Sequence, residues 1–445
     1  MSTAPAAAPP LSAGAIRVTV ESAVAAATVW DFHTHLFPPS FGTPIGRATE
    51  RDPAGLMLWG VDELLTYHYL IAELLREDAG LTPKEFFAMA KPEQADLVWR
   101  RLFVEASPLS EACRGVVTTL TKLGLDPNAP DLAGYRKWFA EQSPGEQVDR
   151  VLELAGVDTV TMTNDLFDDN ERQRWLENPE VANDPRFPAV LRFDALVVDW
   201  PAAAAKLTEW GYAVDAELSA GAVEEVKRCL REWIDRMKPV YCAMSLPPEW
   251  TYPPEGRAAL NAADAGTRCL ADAILPVCAE YGLPLALMIG VTRQINPAVR
   301  MAGDTVGSCD VRSIAHLCGD FPDQRFLVTL LARENQYELA VTARKFANLT
   351  PFGCWWFLNS PSLIEEITRM RIELLGPTFI PQHSDCRVLE QLVYKWDHSR
   401  RVIAKVLADK HADLAAAGWA VTEETIRRDA ERLLRGNVAT ALQSR

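Results

Sequence analysis

Two histidines separated by one residue, His33 and His35, end the apolar run Val29-Trp30-Asp31-Phe32-His33-Thr34-His35-Leu36. The run reads as a β-strand, in which residues two apart point to the same side, so both imidazoles can reach one ion. Imidazole suits zinc and neighbouring transition metals; the plain alternative is a pair of half-buried histidines. Asp31 is expected on the same face one step deeper, and Pro38-Pro39 closes the strand because proline cannot keep donating to a ladder. Far along the chain, His383-Ser384-Asp385-Cys386-Arg387 offers what the pair lacks. Asp385 is a hard oxygen ligand that can also take a proton, and Arg387, two residues on, can bring a cation to the same side.

These residues become neighbours only if the fold closes on itself. After the first strand, apolar runs recur at 157–163, 190–193, 240–246, 283–289, 326–331, 352–357 and 379–383. Helical patterns such as 222–237, 262–280 and 337–347 lie between most of them. Strands alternating with helices imply an α/β fold with a parallel sheet, and eight units are the number that closes a (β/α)8 TIM barrel. Closure would set the eighth strand beside the first, and active sites of such barrels lie at the C-terminal strand ends, where His33, His35, Asp385 and Arg387 all fall. A doubly wound open sheet competes, but no Gly-x-Gly-x-x-Gly follows the first strand. Residues 71–153 show helical spacing broken at Pro83, Pro92, Pro108, Pro127 and Pro144, which reads as a helical insertion after strand one. The expected organisation is an N-terminal extension over 1–28 and a barrel over 29–445.

Composition narrows the partners. The 445 residues are 48% hydrophobic and 24% charged, the balance of a soluble globular chain. Net charge is −15, from 45 basic and 60 acidic residues, which disfavours nucleic acid and anionic membrane. An anionic small substrate would need local arginines. The nine cysteines are scattered without a Cys-x-x-Cys pair, as expected of reduced thiols in the cytoplasm. Met1–Gly14 has neither a basic nor an apolar leader segment and is expected to be frayed, and no later run is apolar enough to span a membrane.

The motifs together resemble a known family. His33-Thr34-His35 with Asp385 is similar to the amidohydrolase superfamily. Within it, Thr66-Tyr67-His68-Tyr69, Arg192, Gly353-Cys354-Trp355-Trp356-Phe357 and Ser384-Asp385-Cys386-Arg387 resemble the uronate isomerases. The resemblance implies one divalent metal ion, usually zinc, held by His33, His35 and Asp385. It implies interconversion of hexuronate aldoses and ketoses, of the glucuronate to fructuronate type, by moving a proton between C1 and C2. Tyr69 and Asp385 match the family's proton-handling residues; His68, Arg192, Arg387 and a tryptophan, Trp355 or Trp356, match those that contact substrate. A sugar acid is then the expected small-molecule partner, and a homo-oligomer is compatible with it.

The side chains suit that chemistry on their own terms. A metal drawing on the C2 oxygen acidifies the neighbouring C–H, and Arg387 can stand beside the enediolate charge as it develops. The planar fork of Arg192 fits a carboxylate remote from the reacting carbons. Two departures stand out: Leu287-Met288-Ile289-Gly290 carries Met288 where the family has a histidine, and His383 sits where an apolar residue is usual. Neither the fourth strand region, Tyr241-Cys242-Ala243-Met244-Ser245, nor Val328-Thr329-Leu330 offers the lysine or histidine of two-metal hydrolases, so one metal is expected. A single-metal hydrolase or decarboxylase acting on another carboxylate, or a barrel that binds without turnover, are the competing readings.

Overall fold

The structure is a computed structural model that describes residues 10–45, 51–178 and 180–443. Among the described residues nine strands form: β1 (Val29–Thr34), β2 (Val157–Asp165), β3 (Ala189–Arg192), β4 (Cys242–Leu246), β5 (Leu285–Ile289), β6 (Val291–Thr292), β7 (Thr305–Val306), β8 (Phe326–Leu330) and β9 (Leu349–Pro351). Seven of them make one sheet in the order β1-β2-β3-β4-β5-β8-β9, every neighbouring pair parallel. Parallel strands covered on both faces need mainly apolar side chains. β5 is accordingly apolar throughout, while β4 and β8, also buried at every position, each carry one polar residue, Ser245 and Thr329.

The sheet curls. Phe32 of β1 stacks on Tyr241, just before β4, with ring centroids 4.6 Å apart, and lies 4.7 Å from Phe352, which follows β9 at the other end of the strand order. A flat sheet could not bring the first strand against both. Phe32, Val190, Tyr241, Ala243, Ala286 and Leu327 form an inner core, while the other face packs on the helices.

Two of the expected strands are placed differently. The run expected at 352–357 pairs earlier, over Leu349–Pro351, because the chain turns at Gly353. There φ is +63°, and a Cβ would meet His383 Nδ1 at 1.7 Å, so only glycine fits. Trp356–Leu358 is then a 3-10 turn. Over 379–383 no strand forms among the described residues. Pro381 has no N–H to give, and the Gln382 side chain substitutes for a ladder partner by accepting from Cys354 N at 2.7 Å and His383 N at 3.1 Å. The segment still touches both ends of the sheet. Ile380 bridges Phe352, Asp385 N donates to His33 O at 3.1 Å, and His35 N donates to Cys386 O at 2.8 Å.

From Val61 to Ala155 the chain is mainly helical, with helices at Val61–Leu65, His68–Glu77, Pro83–Ala88, Lys91–Trp99, Glu111–Lys122, Ala133–Ala140 and Pro144–Ala155. Pro83, Pro92 and Pro144, read as breaks, lie in first helical turns, where a missing N–H costs nothing. Of the frayed start expected over Met1–Gly14, residues 1–9 lie outside the described residues. From Ala13 to Ala26 the chain is a helix capped by Ser12, with Ile16, Val20 and Val24 buried. Among the described residues no helix is long and apolar enough to cross a membrane.

Candidate metal centre and cavity

His33, His35 and Asp385 come together: one ligand atom from each lies within 4.8 Å of the others. His35 Nε2 is 3.4 Å and His33 Nε2 3.8 Å from Asp385 Oδ1. The orientation of His33 is set from behind. Its Nδ1 lies 3.2 Å from Tyr241 Oη and 3.3 Å from Thr163 Oγ1, and Tyr241 Oη donates its own proton to Phe32 O at 2.8 Å. Tyr241 therefore accepts at this contact, Nδ1 carries the imidazole hydrogen, and Nε2 is left with a lone pair aimed at Asp385.

That Nε2 is buried and has no hydrogen-bond partner. Burial, with His35 second, holds His33 well below the ordinary imidazole range, and burial followed by the Arg387 charge lowers His35 to about 4. Both rings are thus neutral, the form a metal needs. Burial alone would raise Asp385, but the His35 hydrogen bond and the surrounding imidazoles hold it far below the usual carboxylate range. Two neutral imidazoles and a carboxylate, with an orphaned nitrogen between them, fit a single divalent ion.

Asp385 sits at φ +53°, a left-handed conformation uncommon for a residue with a Cβ. Asp31 is not in the cluster. A register irregularity separates it from Thr34, and its buried carboxylate accepts from Ser384 N at 3.0 Å and Trp396 Nε1 at 2.8 Å. Asp31 therefore fastens the segment that carries Asp385 rather than facing the ion.

A cavity opens beside the cluster. Of the residues read from sequence it is lined by His35, His68, Arg192, Trp355, Trp356, Asp385 and Arg387, and also by Met288. Both tryptophans reach it, and the His68 ring lies 5.3 Å from that of Trp356. Burial, then the Arg387 charge, lowers His68 to about 3. Tyr69 does not line the cavity; it stands behind Tyr67, ring centroids 4.9 Å apart, and Tyr67 forms part of the wall. Burial pushes both phenols well above the ordinary tyrosine range.

Three guanidiniums converge on this space. Arg192 clasps Asp194, with Nε to Oδ1 at 2.9 Å and Nη2 to the other oxygen, and reaches Ser245 Oγ at 3.1 Å. Arg293 pairs with Asp304 at 2.6 Å. Arg387 has no side-chain hydrogen bond or ion pair among the described residues, so its charge is available to whatever enters. Sequence reading missed Tyr67, Ser245 and Arg293. Tyr67 was visible inside its own motif, whereas Arg293 depends on the short antiparallel hairpin of β6 and β7, whose two-residue strands leave no pattern. His383 lies under the cluster with its ring centroid 5.6 Å from His33, both nitrogens buried without partners, and burial lowers it to about 4. It is not one of the cavity-lining residues.

The chain is similar to solved structures over nearly its whole length. A uronate isomerase from Bacillus halodurans C-125 is 49% identical, with a TM-score of 0.89 and 97% of each chain covered. A uronate isomerase from Thermotoga maritima is 16% identical at a TM-score of 0.72, covering 96% of this chain and 97% of that one. A glucuronate isomerase from Caulobacter crescentus is 14% identical at 0.73, covering 99% and 95%; these last two speak to the fold alone. No protein-family model and no curated protein matches the chain.

Proposed function

The chain belongs to the uronate isomerase family, and from that premise we propose that it interconverts a hexuronate aldose and its ketose, of the glucuronate to fructuronate type, by proton transfer between C1 and C2. The observation that carries the reading is the meeting of His33, His35 and Asp385 at the edge of a cavity lined by Arg192, Arg293 and Arg387. In a chain of net charge −15, such a gathering of cations is suited to an anionic substrate.

His33, His35 and Asp385 would hold one divalent ion, for which zinc suits the two-nitrogen, one-oxygen set. Bound there, the ion supplies Lewis-acid polarisation of a sugar oxygen. The remaining work falls to the chain. Arg192, held by Asp194 through Nε and Nη2, presents its remaining Nη1 hydrogens to the C6 carboxylate, and Arg387, unpaired, stands beside the oxyanion that develops as C2 loses its proton. Asp385 and Tyr69 take and return the protons, with His68 and the tryptophans walling the sugar. The same reading takes the curled sheet and the segment 379–386 as an eight-unit (β/α)8 barrel over 29–445. In it, 71–153 is a helical insertion after the first strand, and the enzyme works in the cytoplasm. Its support is the bonding of that segment to Phe352 on one side and to β1 on the other.

Arg192→Met should raise KM for hexuronates by about 2 to 4 kcal/mol of lost binding, the scale of a buried charged hydrogen bond, and leave neutral sugars nearly unaffected. Steady-state kinetics on both substrate types checks this. Unchanged KM for the sugar acid would remove Arg192 from the carboxylate end.

A further inference from the structure

Behind the cavity lies a charge that the reaction as described does not use. Lys395, on the helix Gln391–Ala416, is 2% exposed. No hydrogen-bond acceptor or carboxylate meets its ammonium among the described residues; its contacts are with ring faces, Nζ lying 5.5 Å from the Tyr69 centroid and 6.0 Å from that of Tyr394. Cation–π attraction offsets only part of what an ammonium loses by leaving water. A methionine of similar length would fill the space without that cost.

We propose that Lys395 is a positioning residue for Tyr69, its unpaired ammonium supplying the buried positive charge that lets this phenol release and regain a proton. The inference rests on the reading of Tyr69 as a proton-handling group. What faces Tyr69 explains the need. Tyr67 and His68 come from its own segment, Asp385 and Cys386 from the chain after Ile380, and Tyr394 from the same helix as Lys395; burial first, then Tyr67, Asp385, Tyr394 and Cys386, all oppose the phenolate. Lys395 is the cation set against the ring. Its charge reaches the neighbourhood as a whole, depressing His68 and His383 and working against burial at Cys386. Taking the 5.5 Å from Nζ to the ring centroid as the range, one charge at an effective dielectric of about 20 shifts a proton equilibrium by about two pH units.

The test places 3,5-difluorotyrosine at position 69 and follows its ionisation by 19F NMR in the full-length protein. In Lys395→Met the midpoint should rise by about two pH units, while the melting temperature holds or increases because an uncompensated buried charge has gone. In the unlabelled variant kcat for the hexuronate should fall about 10- to 100-fold with KM little changed, and Lys395→Arg should restore most of it. If Lys395→Met does not fold, Lys395→Gln serves in its place. An unmoved midpoint in a folded variant overturns the proposal. A moved midpoint in a protein that turns over no uronate leaves Lys395 in its role toward Tyr69 and overturns the proposed reaction instead.

Discussion

Replacing His33 by alanine is expected to empty the metal centre while leaving the protein folded. The ring is held at Nδ1 by Tyr241 and Thr163, and only its Nε2 faces His35 and Asp385. The substitution therefore removes one ligand of three and leaves the other two on the chain. Loss of an outer partner of a metal-bound histidine alone costs about 10- to 100-fold in affinity, so loss of the ligand itself should cost more. Nothing in the strand pairing depends on the imidazole, because β1 bonds to β2 and to the segment after Ile380 through its backbone. Elemental analysis after gentle purification should give about one divalent ion per wild-type chain and far less in His33→Ala, with circular dichroism unchanged. Full metal content in the variant would place the ion elsewhere and remove the basis for assigning His33, His35 and Asp385.

The parts legible in the sequence are those a single local pattern encodes. Strands buried on both faces are mainly apolar, so β4, β5 and β8 were visible as runs, and a His-x-His at a strand end announced its own geometry. What the sequence hid depends on pairs of distant residues. The turn at Gly353 is dictated by the His383 ring that fills the space beside it, so the strand before it was read too late in the chain. Asp31 obeys strand alternation on paper. In the fold, the register irregularity after it and the indole of Trp396 claim its carboxylate. Alternation fails there because a buried carboxylate takes the donors that satisfy it. Lys395, likewise, reads as one charge on a long helix, and only the packing of that helix against Tyr69 gives it a neighbour.

Removing the Tyr69 hydroxyl is expected to have the largest effect on turnover. Tyr69→Phe takes away a proton donor and acceptor but keeps the ring that packs against Tyr67 and Lys395, so the fold should survive and kcat should drop by about 10² to 10⁴, the usual contribution of general acid–base catalysis. The reaction itself is read by incubating the wild type with a panel of hexuronates in D2O and looking by NMR for label at C1 or C2, since a proton lifted from one carbon and returned to the next can exchange on the way. The position of Tyr67 makes the mutant pair informative. It lines the cavity while Tyr69 stands behind it, so Tyr67→Phe with a larger loss than Tyr69→Phe would transfer the proton-handling role to the nearer phenol without disturbing the isomerase reading. Met288 bears on the reaction differently. It lines the cavity, and a thioether neither donates strongly nor exchanges protons, so on the proposed reading proton transfer is left to the other groups at the site, Asp385 and the phenols first among them. If no uronate takes up deuterium while an ester, lactone or aryl carboxylate is consumed, the same metal centre is serving a hydrolase or decarboxylase.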